Sequence, residues 1–267
     1  MRYSTRYLLG STALLLLGCA SSVEGQALAD RIRSARDGTV RLAYGVRDGI
    51  CGDGATYIRD RSRGEENFMT FDTKDSRHWR DRPCEPGPAR VAITKINGDV
   101  SRVRVYVGGE WGSGSGDITD LGTVAGPAAA KALISLASRE RRADQAIFAA
   151  TIADSAVVWP DLLVLAKDKN VASDNRKSAV FWLSQAAGDA ATEGLTELAE
   201  NEAEDRDVRD QAVFALSQLP EDQGIPILIR LARSNKDPKV RRKALFWLGQ
   251  SDDPRVLKLF EEILTKG

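Results

Sequence analysis

The sequence contains very little histidine and cysteine, and neither sign of charge is in excess. It has one histidine and three cysteines among 267 residues. A single histidine argues against a histidine-rich metal site and leaves few positions for a histidine base. The 38 basic and 38 acidic side chains cancel, which argues against holding nucleic acid by bulk electrostatics. Hydrophobic residues make up 42% of the chain, enough for packed cores.

The apolar stretch near the amino terminus is too short to span a bilayer. Residues 7–17 are uncharged and follow Arg2 and Arg6, whereas a transmembrane helix needs about 20 residues. This pattern predicts a secretory signal peptide over residues 1–18. The sequence at its end, Leu16-Leu17-Gly18-Cys19, resembles the bacterial lipobox.

The lipobox resemblance implies an address for the chain. Cys19 would become the acylated first residue of the mature protein, followed by a tether over residues 19–37. Ala20, where aspartate would signal inner-membrane retention, favours an outer-membrane anchor that faces the periplasm. The alternatives are a secreted or soluble periplasmic protein, cleaved after Ala20 or Ala29, and an uncleaved anchor. Loss of Arg2 and Arg6 with the signal peptide leaves two more acidic than basic side chains.

Export also affects the interpretation of the remaining cysteines. With Cys19 acylated, Cys51 and Cys84 form an even pair in an oxidising compartment, which predicts a disulfide bond. Such a bond closes a loop of about 30 residues and stabilises the fold by about 3–4 kcal/mol. The alternative is a thiol nucleophile, although no cysteine–histidine pattern lies nearby.

Residues 38–119 are predicted to form a small antiparallel β domain. Residues 39–46 partly alternate between apolar and polar side chains, as a half-buried strand does. Residues 89–96 and 99–107 repeat that pattern on either side of Asn97-Gly98, which is a strong hairpin signal. The predicted disulfide would connect the first strand region to this hairpin.

An arginine-rich segment lies inside this domain, between Arg59 and Arg82, and it contains His78 and Trp79. One interpretation is a surface that contacts anions or glycans, with Trp79 as the stacking platform. The other is a solvated loop in which arginines pair with the interleaved acids and Trp79 covers the small core. The first of these places Trp79 among the candidate partner-binding residues.

From about residue 126 the composition becomes typical of helices, and residues 120–267 contain an internal repeat. Ala179, Ala212 and Ala244 recur at steps of 33 and 32 residues. A second set of positions, Leu162, Leu195 and Leu228, recurs at steps of 33. This predicts an α-solenoid of about four helix pairs, with a capping helix over residues 127–138. The phenylalanines that recur with the alanines are expected to form a ladder in its core: Phe148, Phe181, Phe214 and Phe246.

Helix-capping signals accompany the repeat. Asp237 and Asp253 are candidate N-caps because proline follows each of them. Pro160 and Pro226 are expected in the first turns of their helices.

Two motifs carry a family resemblance. Arg-x-x-Ala-x-x-x-Leu in the first helix and Leu-x-x-Leu-Ala in the second resemble HEAT repeats, over about residues 140–265. The short period is similar to that of the bacterial phycobilisome-lyase-like subclass. HEAT-like hydroxylases bind iron through several His-Glu pairs, but His78 is the only histidine and lies outside the repeats. The resemblance therefore implies an interaction fold without a metal, a cofactor or catalytic residues.

The predicted function is an envelope-anchored, non-catalytic scaffold that binds protein partners. Second helices of such repeats usually line the binding face, and here neighbouring helices differ in charge. The candidate partner-binding residues are Glu193, Glu197, Glu200, Arg230 and Arg233, together with Trp79.

Two alternatives remain open at the level of the sequence. One is an envelope hydrolase that uses the β-domain carboxylates Asp53, Asp60 and Glu110. The other is a structural subunit of an envelope complex, which exposed apolar residues such as Phe260 or Leu264 on the last helix would favour.

Overall fold

The computed structural model divides the chain into two compact units. The sheet unit runs through Leu136 and includes Phe148–Val157, and the repeat unit contains Ala137–Ile147 and Val158–Gly267. The structure describes residues 11–55, 57–61, 67–70, 84–112, 116–185 and 189–266.

Helix α1, Ser11–Ser34, begins the described chain. Its second half is part of the sheet unit, because Leu28, Ala29 and Ile32 are all buried. Gly25 lies so close to Lys131 that a Cβ atom at Gly25 would come within 2.5 Å of the lysine side chain. The segment predicted as a tether, residues 19–37, is therefore mostly helical and packs through its later residues.

A four-stranded sheet forms the main β layer. Its strands are β1 Gly38–Tyr44, β5 Ala89–Ile96, β6 Asp99–Val107 and β7 Ile118–Thr123, in the order β6-β5-β1-β7. The β1–β5 and β5–β6 pairs are antiparallel, whereas β1 and β7 are parallel. Val40, Leu42 and Tyr44 point to the buried face, and Arg41 points to the other face, as strand alternation requires.

The predicted β5–β6 hairpin is confirmed with the predicted bounds. Asn97 and Gly98 have φ values of 56° and 83°, the left-handed backbone that a tight hairpin turn needs. The Asp37 carboxylate accepts hydrogen bonds from both backbone N–H groups, at 2.6 and 2.9 Å. A residue outside the hairpin therefore also holds the turn.

A smaller sheet contains the disulfide. Its strands β2 Ile50–Gly52, β3 Tyr57–Asp60 and β4 Asn67–Thr70 are antiparallel neighbours in that order. Cys51 and Cys84 are bonded, with their Cα atoms 5.1 Å apart. Gly52 and Glu85 exchange backbone hydrogen bonds next to the disulfide. The predicted pairing of the two cysteines is therefore confirmed.

Nine helices follow in the described part of the chain. They are α2 Gly126–Arg139, α3 Asp144–Thr151, α4 Trp159–Lys167, α5 Ser173–Ser184, α6 Asp189–Glu200, α7 Arg206–Ser217, α8 Glu221–Ser234, α9 Pro238–Leu248 and α10 Pro254–Lys266. The predicted lone helix 127–138 corresponds to α2. Packing assigns most of α2, and also β7, to the sheet unit, and the domain boundary at residue 119 stays a prediction.

The repeat unit has two helical layers. The first helices α5, α7 and α9 pack against one another, and the second helices α4, α6, α8 and α10 form the other layer. Ala179, Leu183, Ala212 and Leu216 are fully buried between the layers. Small alanines let the paired helices approach closely, and each buried leucine contributes about 1.5–3 kcal/mol.

The predicted phenylalanine ladder is wrong for most of its members. Phe148 is buried, but Phe181 and Phe214 are only partly buried, and Phe246 is 57% exposed. Residues two apart on a helix point in different directions, so Phe181 cannot share the face of Ala179 and Leu183. The core of the repeat unit is built mainly by alanine, valine and leucine, and Phe181, Phe214 and Phe246 lie at its margin.

Two of the predicted caps are confirmed. The Asp237 carboxylate accepts a hydrogen bond from the Lys239 N–H at 2.8 Å, where α9 begins. Asp253 does the same for the Arg255 N–H at 2.8 Å. The prediction for Pro226 is wrong, because α8 begins at Glu221 and contains this proline in its second turn.

Candidate partner-binding surface on the second helices

The predicted acidic residues lie together on the exposed side of α6. Leu195, Leu198 and Ala199 point inward and are almost completely buried. Glu193, Glu197 and Glu200 follow the helical period on the opposite side and are all exposed.

Glycine also determines how closely α6 approaches its neighbour α4. A Cβ atom at Gly194 would come within 2.5 Å of a methyl carbon of Leu163. Because glycine has no side chain, the two second helices can pack without that clash.

A groove of about 750 Å³ lies between α6 and α8. Glu193, Glu197 and Glu200 line one wall, and Arg230 lies on the other. The remaining lining residues are Thr192, Thr196, Gln223 and Ile227. The structure thus brings four of the predicted site residues together in one groove, whose lining residues are mainly of polar types.

Ion pairs connect successive second helices along this surface. Lys167 on α4 lies 2.5 Å from Glu197 on α6. Glu200 on α6 lies 3.2 Å from Arg230 on α8. The acidic and basic helices, which the sequence places next to each other, therefore neutralise each other in part.

Arg233 belongs to the same series but not to the groove, because it pairs with Glu262 on α10 at 2.5 Å. Glu193 lies in the groove without an ion-pair partner among the residues that the structure describes. Exposed pairs contribute about 0–1 kcal/mol each, so they leave these side chains available for exchange with a ligand.

A buried arginine performs a different task on the first-helix layer. Arg176 on α5 is 0% exposed and its Nε donates to the Ala166 carbonyl oxygen at the end of α4, at 2.8 Å. Its guanidinium lies 2.5 Å from the buried Glu204 carboxylate and 2.7 Å from Asp205. One side chain thus holds the preceding second helix and the start of the next repeat.

The equivalent arginine of the next repeat makes a similar bond. Arg209 on α7 pairs with Asp237, the N-cap of α9. The hydrogen bond from the Lys239 N–H and the Arg209 guanidinium lower the pKa of Asp237. These bonds were not predicted, although an arginine near the start of a first helix and an aspartate before the next first helix are a sequence signal for them.

The carboxylates proposed for the enzymatic alternative have structural partners. Asp53 accepts hydrogen bonds from the N–H groups of Ala55 and Tyr57, and Asp60 pairs with Arg47. Glu110 is exposed. Within the described ranges, no group of three or more histidine, cysteine, aspartate or glutamate side chains is arranged to hold a metal ion.

Two predicted residues cannot be placed in a site. Trp79 lies outside the described residues, and of Cys19 only the backbone is described, as part of α1. None of the helices in the described ranges is long and apolar enough to cross a membrane.

The comparisons with known proteins agree with the helical architecture. Residues 192–267, from α6 to the end of the chain, match the family model for HEAT repeats. None of the curated proteins matches the chain. The fold is thus a small, antiparallel-rich β region with a disulfide, followed by helices of a HEAT-type α-solenoid. HEAT repeats are generally protein-interaction scaffolds.

Proposed function

We propose that this chain is an envelope-anchored scaffold that binds a protein partner in the groove between α6 and α8. The observation that carries the proposal is the groove itself, with Glu193 exposed and Glu197 and Glu200 in weak, exchangeable pairs. Groups that a partner can reach without first breaking a buried contact are suited to reversible recognition.

The groove suits part of a polypeptide better than a small cofactor. It is open along two helices, and seven of its eight lining residues are polar, whereas cofactor sites are enclosed and lined mostly by hydrophobic residues. Ile227 supplies an apolar contact between the charged walls. Such an arrangement fits a partner segment that presents basic side chains towards α6.

Charge reversal tests this role of the groove. The variant Glu193→Lys/Glu197→Lys places positive charge on the α6 wall, and we expect it to lose the partner recovered with the wild-type protein from envelope extracts. The matched control is Asp207→Lys/Asp252→Lys, which makes the same charge change at exposed positions outside the groove. If the two variants recover the same amount of the partner, the groove is ruled out as the partner site.

The proposed anchor is the lipidated Cys19. Its support is the lipobox resemblance of Leu16-Leu17-Gly18-Cys19 and the uncharged stretch before it. Two or more acyl chains give stable attachment, because each buried methylene contributes about 0.8 kcal/mol. Ala20 follows the cysteine at the position where aspartate would signal retention in the inner membrane. The proposed anchor therefore lies in an outer membrane, and the protein faces the periplasm.

Metabolic labelling with an alkyne fatty acid tests the anchor separately from the groove. The wild-type protein is expected to take up label and to fractionate with membranes, and Cys19→Ser to do neither. If Cys19→Ser still carries the label, the proposed lipid anchor is refuted, whereas the groove proposal is not affected.

A second candidate function, a structural subunit of a complex, is favoured by one observation on α10. Leu257 and Leu264 are 64% and 82% exposed, and their spacing puts both on one side of the helix. We expect Leu257→Gln/Leu264→Gln to release the protein from its complex if this face docks. If the charge-reversal variant releases the partner and this variant does not, the groove is the site.

A further inference from the structure

The outer face of the four-stranded sheet presents three arginines that are independent of the groove. The residues Arg41, Ala92 and Arg104 lie side by side on β1, β5 and β6. In the next row, Arg102 on β6 lies beside Thr94 on β5. All these residues point away from the buried face formed by the valines and leucines, because side chains alternate along a strand.

The charges on this face are not neutralised by ion pairs in the part of the chain that the structure describes. Arg41, Arg102 and Arg104 have no carboxylate within ion-pair distance there. Asp120 on β7 is the neighbour of Arg41 in the sheet, and its carboxylate accepts a hydrogen bond from the Gly122 N–H at 2.8 Å. Arg102 and Arg104 are exposed.

Two further contacts shape the site. The guanidinium of Arg41 lies 4.8 Å from the ring centroid of Trp111, and that of Arg90 lies 5.2 Å from it. Arg90 is buried and donates to the carbonyl oxygens of Gly54 and Gly108. It therefore holds the loop that carries Trp111, and it is not available to a ligand.

The Nε of Arg41 is buried and has no hydrogen-bond partner among the described residues. Trp111 thus contacts the Arg41 guanidinium by a cation–π interaction and leaves the Nε donor without a hydrogen bond to any residue that the structure describes. The exposed guanidinium groups of Arg102 and Arg104 favour a ligand that supplies anionic oxygen atoms.

We propose that this arginine face binds an extended acidic segment of a partner protein, with carboxylates at alternate residues. Arg102 and Arg104 are two residues apart on β6, so their side chains start about 6.8 Å apart. Alternate side chains of an extended peptide have the same spacing, which lets two successive carboxylates each meet one guanidinium. Ala92 is small and leaves room between Arg41 and Arg104 for the segment to approach.

A peptide fits these observations better than a nucleic acid. Among the residues that the structure describes, the basic face has three available arginines. The whole chain has equal numbers of basic and acidic side chains. Nucleic-acid binding depends on neutralising many phosphates with an extended basic surface. A peptide whose alternate side chains have the spacing of Arg102 and Arg104 can bind without such an extended basic surface.

The test measures binding of a fluorescein-labelled peptide of alternating glutamate and threonine to the full chain by anisotropy. The peptide of alternating glutamine and threonine is the uncharged control, and polyphosphate is a separate competitor. The variant is Arg102→Gln/Arg104→Gln. Its matched control is Arg31→Gln/Arg36→Gln, the same charge change at exposed positions elsewhere in the sheet unit.

We expect the glutamate peptide to bind, the glutamine peptide not to bind, and salt to weaken binding. Arg102→Gln/Arg104→Gln should raise the Kd about tenfold, because two guanidinium–carboxylate pairs are lost. Arg102→Lys/Arg104→Lys keeps the charge and should recover part of that loss. The control variant should bind as the wild type does.

Three results would overturn the proposal. These are no binding of the glutamate peptide, equal weakening by the variant and its control, and binding of polyphosphate in place of the peptide. Because the groove residues are unchanged in every variant, none of these results bears on the groove between α6 and α8.

Discussion

Arg176 offers the sharpest test of what holds successive repeats together. The substitution Arg176→Met keeps the apolar length of the side chain and removes the charge and the hydrogen-bond donors. It leaves the Glu204 carboxylate, whose side chain is only 2% exposed, without its 2.5 Å partner. Breaking a buried pair on one side generally costs about 3–5 kcal/mol, because one charge remains buried and uncompensated.

The structure places this case near the lower end of that range. Glu204 keeps a hydrogen bond from the Asp205 N–H at 2.7 Å, so part of its charge stays compensated. The Asp205 side chain is 59% exposed and water replaces its arginine partner at little cost. We therefore expect Arg176→Met to lower the free energy of unfolding by about 3 kcal/mol.

Urea unfolding followed by helical circular dichroism measures this loss, because the repeat unit contains most of the helices. The matched control is Lys177→Met on the same helix, which removes an exposed pair with Asp174 and should cost about 0.5 kcal/mol. The double variant Arg176→Met/Glu204→Met removes both buried charges and should recover part of the stability. A loss equal to that of Lys177→Met, or no recovery in the double variant, would refute the reasoning.

Three further predictions concern stability. Cys51→Ala/Cys84→Ala opens a loop of 33 residues and should lower the free energy of unfolding by about 3–4 kcal/mol relative to the oxidised wild type. Equal stability of the variant and the wild type in urea unfolding would contradict this prediction. Leu248→Ala, at a fully buried position, should lower the free energy of unfolding by about 2–5 kcal/mol. Phe246→Ala should lower it by less, because Phe246 is 57% exposed. If urea unfolding shows the larger loss for Phe246→Ala, the prediction that the phenylalanines form the core would stand after all. The Arg255 side chain lowers the pKa of Asp253 to about 2. The stability that the ionised Asp253 carboxylate contributes is therefore present above the ordinary carboxyl range and is lost as pH falls towards about 2. If NMR of the carboxyl carbon gives Asp253 an ordinary carboxyl pKa, the prediction is contradicted.

Repeat positions and short turn signals allowed much of the fold to be predicted from the sequence. The steps of 32 and 33 residues located the helix pairs, because each copy must bury the same face against its neighbours. Asn97-Gly98 located the hairpin, since few other residue pairs accept its backbone conformation. The remaining two cysteines indicated their pairing.

Other features depend on contacts that no local pattern records. β7 pairs in parallel with β1, a partner far away in the sequence, and its segment lies next to a glycine-rich stretch. Periodicity showed that Phe246 recurs, but not that the face it occupies is open. The bond from Arg176 to the next repeat does have a signal in the sequence, because Asp205 directly precedes the next first helix.

The residues of the candidate site could be predicted from the sequence, but their arrangement in space could not. The sequence located Glu197 and Arg230 on neighbouring second helices of opposite charge, but it did not predict ion pairs between the helices. The pairs Lys167–Glu197 and Glu200–Arg230 show that side chains reach across from one helix to the next. Only the packing distance between helices determines whether such charges meet or remain separate.

Site-specific photo-crosslinking in the intact envelope tests the central proposal of the partner groove most directly. A photoreactive amino acid at Thr196 lies within the groove, and one at the exposed Lys258 on α10 is the control. The groove proposal predicts a discrete crosslinked protein from position 196 that is absent from position 258, and its loss in Glu193→Lys/Glu197→Lys. No adduct at position 196, or the same adduct from both positions, would contradict it.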